Sequence, residues 1–578
     1  MPWPVGPRNS GQVSAAAGMA PQTDPARKRA RVKTGGRNLA REDIMDMARD
    51  RAESGLGAMR TTARSHLNPK DAADKRPSGR LGACFRFCRR TQRHGCRPAL
   101  SHVSRPIVPP SDHHLPPRMK TASLHLALYR TLLVSLLALA VALPAQAAEW
   151  PGWRGPNGDG TSPGLKNLPD TWAPDKNIKW KVEMPAWSGS SPVVWGDKIF
   201  LNTPSKEDPS AAPPPPPEPA PGKKARPRPA GGRGPGGQEI LLLCLDRATG
   251  RELWRRQYDR GNDIKMKHNM SSPSPVTDGK HVWVVSGNAI VACYDFAGNV
   301  RWTFDIQKNF GKMGIQFGYG SSPLLVDGKL VFQMLQGLYT DDPCYVFALD
   351  AATGKTLWRV DRPTDAEHES PDAYSTPSLL VHGGKKQIVI GGADYVTGHD
   401  PETGAELWRG GGLNPNKSRN YRVIASTLVN NGLIFTPTRV TPFITYKAGG
   451  SGDITATHQA WKWTDKGAPD VPTPVTDGEL LYFVDDQGAF TAIKAKTGEK
   501  VYGPEQTGIG RTSASPVLAD GKIYIVSESA ETAVVRAGPT FKLIGKNALD
   551  GSYTLCTPAF VDGTIFLRTG THLYAIAK

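Results

Sequence analysis

"YVFALDAATGKTLWRV" (345–360) decides how the rest of the chain is read. An apolar run ends at Asp350, the Thr353-Gly354 pair reverses the chain, and a second run carries Trp358 four residues past the glycine. Two β-prone runs around a tight Gly turn spell an antiparallel hairpin. The phrase recurs as "LLLCLDRATGRELWRR" (241–256), "IVACYDFAGNVRWTF" (290–304), "YVTGHDPETGAELWRG" (395–410) and "AFTAIKAKTGEKVYGP" (489–504). Trp254, Trp302, Trp358 and Trp408 all keep the four-residue offset, and Tyr502 stands in their place in the last copy. A small residue recurs on the strand before the turn, at Cys244, Cys293, Ala348, Gly398, Ala492 and Ala575, where adjacent blades are expected to approach closely.

A second phrase alternates with the first: Ser/Thr-Pro, a short apolar run, then Asp-Gly or its equivalent. It runs from "SSPVVWGDKIFL" (190–201) through "SSPLLVDGKLVFQM" (321–334) and "PTPVTDGELLYFV" (472–484) to "CTPAFVDGTIFLR" (556–568), in eight copies. The turns at 278, 327, 382, 431, 477, 520 and 562 keep a period of 42 to 55 residues. The interval from Gly196 to Asp278 is 82 residues, and becomes 47 without the Pro-rich stretch 204–238, which holds 12 prolines and reads as a disordered insertion. Four strands in about 45 residues make the unit of a β-propeller blade. The eighth copy stops after three strands at Lys578, and "NIKWKVEM" (177–184), with Trp180, supplies the fourth. The expected fold is therefore all-β: a single eight-bladed propeller of four-stranded antiparallel blades, the last closed by an N-terminal strand. Such closure leaves no open sheet edge. Trp180, Trp254, Trp302, Trp358, Trp408 and Tyr502 are expected to dock between blades.

The formal net charge of +19 resides in the segments 1–118, 119–147 and 204–238, which leaves the remainder neutral. A nucleic-acid surface is thereby excluded from the expectations for the repeat region. Residues 1–118 are Arg-rich and lack a sustained apolar period, the composition of a disordered extension. Cys84, Cys88, His94 and Cys96 match no common zinc spacing. From Met119 a basic start, an apolar run and Ala145-x-Ala147 compose a secretory signal, 119–147. Translation is accordingly expected to begin at Met119, with the exported chain starting near Ala148 in the periplasm or outside the cell. No Cys follows the apolar run, so no lipid anchor is expected.

"ALDAATGKTLWR" (348–359) resembles the pyrroloquinoline-quinone-like (PQQ-like) propeller repeat, in which tryptophans dock between blades, and the resemblance extends over about 150–578. It implies two kinds of function, because a fold does not assign one. Relatives in this family include the outer-membrane assembly factor BamB and the quinoprotein alcohol dehydrogenases. The BamB-like reading implies an exported, non-catalytic binding protein, monomeric, with a cell-envelope protein or a small ligand as partner and no cofactor. The dehydrogenase reading implies PQQ on an aromatic floor, calcium, a catalytic Asp and usually a vicinal disulfide. The chain has no adjacent Cys pair and no Cys-x-x-Cys-His. The expectation is thus a binding propeller, with no catalytic residue and no metal site assigned.

Ligand contacts are expected in the segments before each first strand, which line the channel mouth: His268, Asn269, Gln316, Tyr319, Tyr374, Arg419, Asn420, Tyr421, Arg422, Arg511 and Tyr553. Aromatic rings beside guanidinium groups suit an anionic or planar ligand, or a protein segment. Glu367, His368 and Glu369 are consecutive, so alternation along an extended chain keeps them from converging on a metal. "AEWPGWRGPNGDG" (148–160) lacks the Lys-Ser/Thr ending of a phosphate loop, and Trp150 and Trp153 are expected to pack against the propeller.

Overall fold

The computed structural model describes residues 149–208, 234, 236–439 and 441–578. The extension 1–118, the signal segment 119–147 and most of the Pro-rich insertion lie outside the described residues. Among the described residues, eight antiparallel sheets of four repeat strands follow one another along the chain. Blade 3 is typical: Leu324–Val326, Lys329–Met334, Tyr345–Asp350 and Thr356–Asp361 hydrogen-bond in sequence order. Blade 8 pairs Ala559–Val561, Thr564–Arg568 and His572–Ile576 with Ile178–Glu183, the N-terminal strand running antiparallel to the last C-terminal one. The ring therefore closes as the strand count requires.

Apolar side chains alternate onto the faces between neighbouring blades. Val331, Val346 and Ala348 of blade 3, for example, pack with Ile388 and Ile390 of blade 4. The docking tryptophans sit at these seams. The indoles of Trp180, Trp254, Trp302, Trp358 and Trp461 each donate Nε1–H to a carbonyl in the Gly turn of the following blade, at Arg247, Phe296, Ala351, Pro401 and Ala495, over 2.8–3.2 Å. Each ring lies over that turn's glycine. Gly354 has φ of +72°, and a Cβ there would stand 2.6 Å from the Trp302 ring. Gly354→Ala is therefore expected to destabilise the protein by about 1–3 kcal/mol through left-handed strain and a displaced indole. A lower urea midpoint at unchanged slope checks this.

Docking needs a tryptophan on one blade and the turn on the next, which accounts for where it fails. Blade 5 joins its third and fourth strands by the longer loop 448–458 instead of the turn, and Trp408 of blade 4 donates to Gln387 Oε1 of its own blade at 2.8 Å. Tyr502 faces blade 7, which also lacks the turn, and packs its ring on Phe490 and Phe541. Both still pack between blades, Trp408 with Ile434, Ile444 and Tyr446 of blade 5 and Tyr502 with the cluster of Ile523 and Val535 of blade 7, but neither bonds a Gly turn, whereas Trp461 does so without belonging to a Thr-Gly phrase of its own. The recurrent small residues are the cross-strand partners of these aromatics: Cys244 opposes Trp254, Cys293 opposes Trp302, and Ala348 opposes Trp358. A register shift beside each pair gives the bulky ring its angle. Cys244 and Cys293 are free thiols that burial pushes up to about 12, so they are protonated and inert at neutral pH.

Candidate functional site

The Ser/Thr of the Ser/Thr-Pro phrase forms a collar around the channel. The backbone N–H of each one donates to the hydroxyl oxygen of its counterpart on the next blade, in the order Ser191, Ser274, Ser322, Thr376, Ser426, Thr473, Ser515, Thr557 and back to Ser191. All the distances lie between 2.8 and 3.2 Å. The proline that follows seven of the eight lacks an N–H, which costs nothing on an innermost strand whose free edge faces the channel; Thr427 follows Ser426. A short hydroxyl side chain is the one that can reach the neighbouring main chain and still leave the channel open.

The segment 150–162 closes this channel on the side of the innermost strands. Trp150 is fully buried, exchanges both backbone hydrogen bonds with Val194 of blade 1 and packs on Phe560 of blade 8. The Pro151 carbonyl accepts from Thr277 of blade 2 at 2.8 Å. Arg154, 1% exposed, donates to the carbonyls of Thr473 and Pro474 at the start of blade 6, opposite blade 2 in a ring of eight. Thr161–Ser162 then adds a short parallel strand to Val517–Ala519 of blade 7. Between these anchors the chain spans the channel, and the Trp153 ring lines the space above it. The result is a cavity of about 240 Å³ with Trp153 and the collar on its wall and one open mouth.

Loops that enter and leave the blades on the opposite side furnish the mouth. Lys267, in the hairpin Ile264–Asn269, donates to Glu528 Oε1 at 2.9 Å and Ser513 Oγ at 3.1 Å, and lies 3.9 Å from Asp486 Oδ2. Arg422 donates to Glu369 Oε1 at 2.7 Å and holds its guanidinium 5.4 Å from the Phe317 ring centre. His268 meets Tyr374 edge-on at 6.3 Å, and burial lowers it to about 4, leaving it neutral at pH 7. Asp486 Oδ1 accepts from the N–H of Val471 at 3.1 Å, which brings it alongside Asp470. Asp470 Oδ1 is buried without a partner among the described residues. Burial, with the Asp486 charge beside it, raises Asp470 to about 6, and burial raises Asp486 as well.

The sign of the Asp470 effect on stability follows. Between the ordinary Asp range and about pH 6 the folded state holds a proton that the unfolded chain releases, so this carboxyl costs stability as pH rises through 6. Asp470→Asn is expected to raise stability at pH 7 by about 1–2 kcal/mol and to lose that advantage near pH 4. Denaturant midpoints at the two pH values check it. A carboxylate kept where it destabilises the empty protein is the pattern of a functional group.

Of the residues expected at the mouth, His268, Tyr374 and Arg422 line the cavity. Asn269 is buried and donates to the Trp187 carbonyl, and Gln316 presents its backbone N–H to Asp372. Tyr319 lies in the core between blades 2 and 3, Tyr421 bonds Thr438 and the Thr441 carbonyl, and Tyr553 donates to the Lys267 carbonyl at 3.0 Å. Arg419, Asn420 and Arg511 are exposed and outside the cavity wall, with Arg419 3.6 Å from Glu367. Trp153, Lys267, Phe317, Asp470 and Asp486 line the cavity without having been expected there as ligand contacts. Asp486 lies in the turn between the second and third strands of its blade, a turn that carries no repeat signal. Trp153 was expected to pack on the blades, as Trp150 does.

The fold and the collar define an eight-bladed propeller with tryptophan-docked blades and a capped channel. The profile of the family described as outer membrane protein assembly factor BamB matches residues 238–503. BamB from Moraxella catarrhalis superposes with a TM-score of 0.45 at 11% identity, over 68% of this chain and 98% of that one. The quinohemoprotein alcohol dehydrogenase of Comamonas testosteroni superposes with a TM-score of 0.50 at 12% identity, over 76% and 82% of the two chains. The serine/threonine-protein kinase AfsK of Streptomyces griseus is 31% identical over 159 residues, a match spanning 27% of this chain and 17% of the kinase. The likeness to the dehydrogenase, at 12% identity, is one of fold, and the profile match covers the repeats in 238–503.

Proposed function

We propose that the protein is an exported, non-catalytic binding propeller of the cell envelope, and that its working site is the capped channel. The observation that carries this reading is the segment 150–162, which spans the channel and turns a through-hole into a cavity with an aromatic wall. A concave site with a few converging polar groups is the usual form of a ligand pocket. The signal-like segment 119–147 and the matched BamB profile support the envelope setting. The test is native mass spectrometry of the purified protein after incubation with an envelope extract, beside Ile424→Trp, which fills the cavity. An adduct on the natural protein that the filled variant lacks is the expected result. Equal adducts on both proteins, or none on either, would overturn the reading.

Trp153 invites a second reading, a quinoprotein dehydrogenase, because its ring offers a surface for a planar quinone. The rest of the wall does not fit that cofactor. PQQ is a tricarboxylate, and the two cations in reach, Lys267 and Arg422, are already paired with Glu528 and Glu369. Among the described residues no three carboxylate, His or Cys side chains converge on a point where calcium would be held. Incubation with the quinone and calcium is expected to give no dye-linked alcohol oxidation, and stoichiometric uptake with turnover would reverse the ranking.

A further inference from the structure

We propose that the cavity takes a small primary ammonium ion with an apolar body, its nitrogen on the Asp470 and Asp486 carboxylates and its body against Trp153. This rests on the reading of the capped channel as the working site, and names the chemistry of what enters it.

The charge of the wall points to a cation. Two positive side chains, Lys267 and Arg422, face four carboxylates, Asp470, Asp486, Glu369 and Glu528. Lys267 lies closest to Glu528, at 2.9 Å, and only reaches Asp486 at 3.9 Å, while Arg422 is taken by Glu369 at 2.7 Å. His268 is neutral at pH 7. Arg439, the other cation acting on Asp470, is at the surface with its guanidinium on the Asn420 carbonyl. Two negative charges thus remain on the wall, and the buried Oδ1 of Asp470 has no partner among the described residues. A buried carboxylate is stabilised by a charge-assisted hydrogen bond from a cation, whereas an anion would stand beside two carboxylates.

The remaining surfaces select an organic cation over a metal ion. Trp153, Phe317 and Tyr374 line the same space, and aromatic faces attract ammonium groups while shielding an apolar body from water. A hard divalent cation would need more oxygen ligands than two carboxylates supply. The collar hydroxyls add neutral oxygens that can accept from ammonium N–H groups. The volume, about 240 Å³, is small for a ligand pocket and suits a body of about ten non-hydrogen atoms.

The experiment is isothermal titration of the purified protein with phenethylamine, 2-phenylethanol and phenylacetate, which share a ring and chain length but differ in charge. Phenethylamine is expected to bind at least about tenfold tighter than the alcohol, and phenylacetate not to bind. Asp470→Asn is expected to weaken the amine at least about tenfold, and Asp486→Asn likewise, while neither variant unfolds earlier than the natural protein. Trp153→Leu is expected to weaken it about threefold. Tighter binding of phenylacetate, amine binding indifferent to both Asp variants, or binding of none of the three would overturn the ammonium assignment. The adduct captured from envelope extract, and its loss in Ile424→Trp, judge the cavity itself, so failure of one claim is separable from failure of the other.

Discussion

Trp358→Ala is expected to destabilise the ring by about 3–5 kcal/mol, the cost of truncating a large buried aromatic. The indole is 8% exposed, donates to the Pro401 carbonyl at 3.1 Å and covers Gly404 of the next blade. Its removal would open a void at the seam between blades 3 and 4, where Val331, Val346, Ile388 and Ile390 meet, and leave a carbonyl without its donor. The seam cannot collapse easily, because moving blade 3 toward blade 4 would draw on the collar bonds from Ser322 to Thr376 and from Thr376 to Ser426. Tyr502→Ala is the comparison: that ring packs on Phe490 and Phe541, bonds no neighbouring Gly turn, and is expected to cost less. Equilibrium unfolding monitored by fluorescence distinguishes the two. Equal losses for both would show that docking contributes nothing beyond burial.

The ring was legible in the chain because repetition amplifies weak local signals. Asp350, Thr353, Gly354 and Trp358 say little alone, yet the pattern recurs in several blades, and the structure explains their joint occurrence. Asp350 Oδ1 accepts from the Thr353 N–H and hydroxyl, the turn so formed places Gly354 at positive φ, and Trp302 from the preceding blade lies over it. Tryptophan and turn therefore belong to different blades. A pattern read within one repeat merges them, which is why it did not show that Trp408 and Tyr502 pack on the next blade without a Gly turn to receive them, and why Trp461 was passed over. The Ser/Thr-Pro phrase was visible as a strand start, but its hydroxyl collar was not, since each bond joins residues 42 to 83 positions apart, or 366 at the closure. The site was the least legible part. Its wall is assembled from Trp153 before the repeats, Lys267 and Phe317 between blades, and Asp470 and Asp486 on either side of one innermost hairpin, none of which recurs. Arg419 and Arg511 were expected, on residue type, to contact an anionic or planar ligand or a protein segment, whereas both are exposed and outside the cavity wall, and an ion pair occupies Arg422.

Arg154→Met is expected to cost about 3–5 kcal/mol and to detach the channel cap, although methionine nearly preserves the side-chain stem. The guanidinium donates to the carbonyls of Asp159 at 2.7 Å, Thr473 at 3.1 Å and Pro516 at 3.5 Å, and to that of Pro474. Among the described residues no carboxylate hydrogen-bonds it; burial lowers it to about 10, against the opposing pull of the Asp159 charge, so it remains charged at neutral pH. Methionine supplies none of these donors and leaves buried acceptors unpaired on blades 6 and 7. Arg154→Lys restores the charge but not the planar fork that reaches several carbonyls at once, and is expected to recover less than half of the loss. Hydrogen exchange separates local from global effects. Release of the cap would accelerate exchange at Gly160, whose N–H bonds the Arg154 carbonyl, and at Leu518, whose N–H bonds Gly160, while the collar amides of Ser322 and Thr376 keep their protection. With the cap released, Trp153 would no longer be held against the cavity, so binding should weaken in Arg154→Met even where the ring stays folded. Full affinity alongside fast exchange at Gly160 would mean that the cap serves stability alone and that the site is built by the blades.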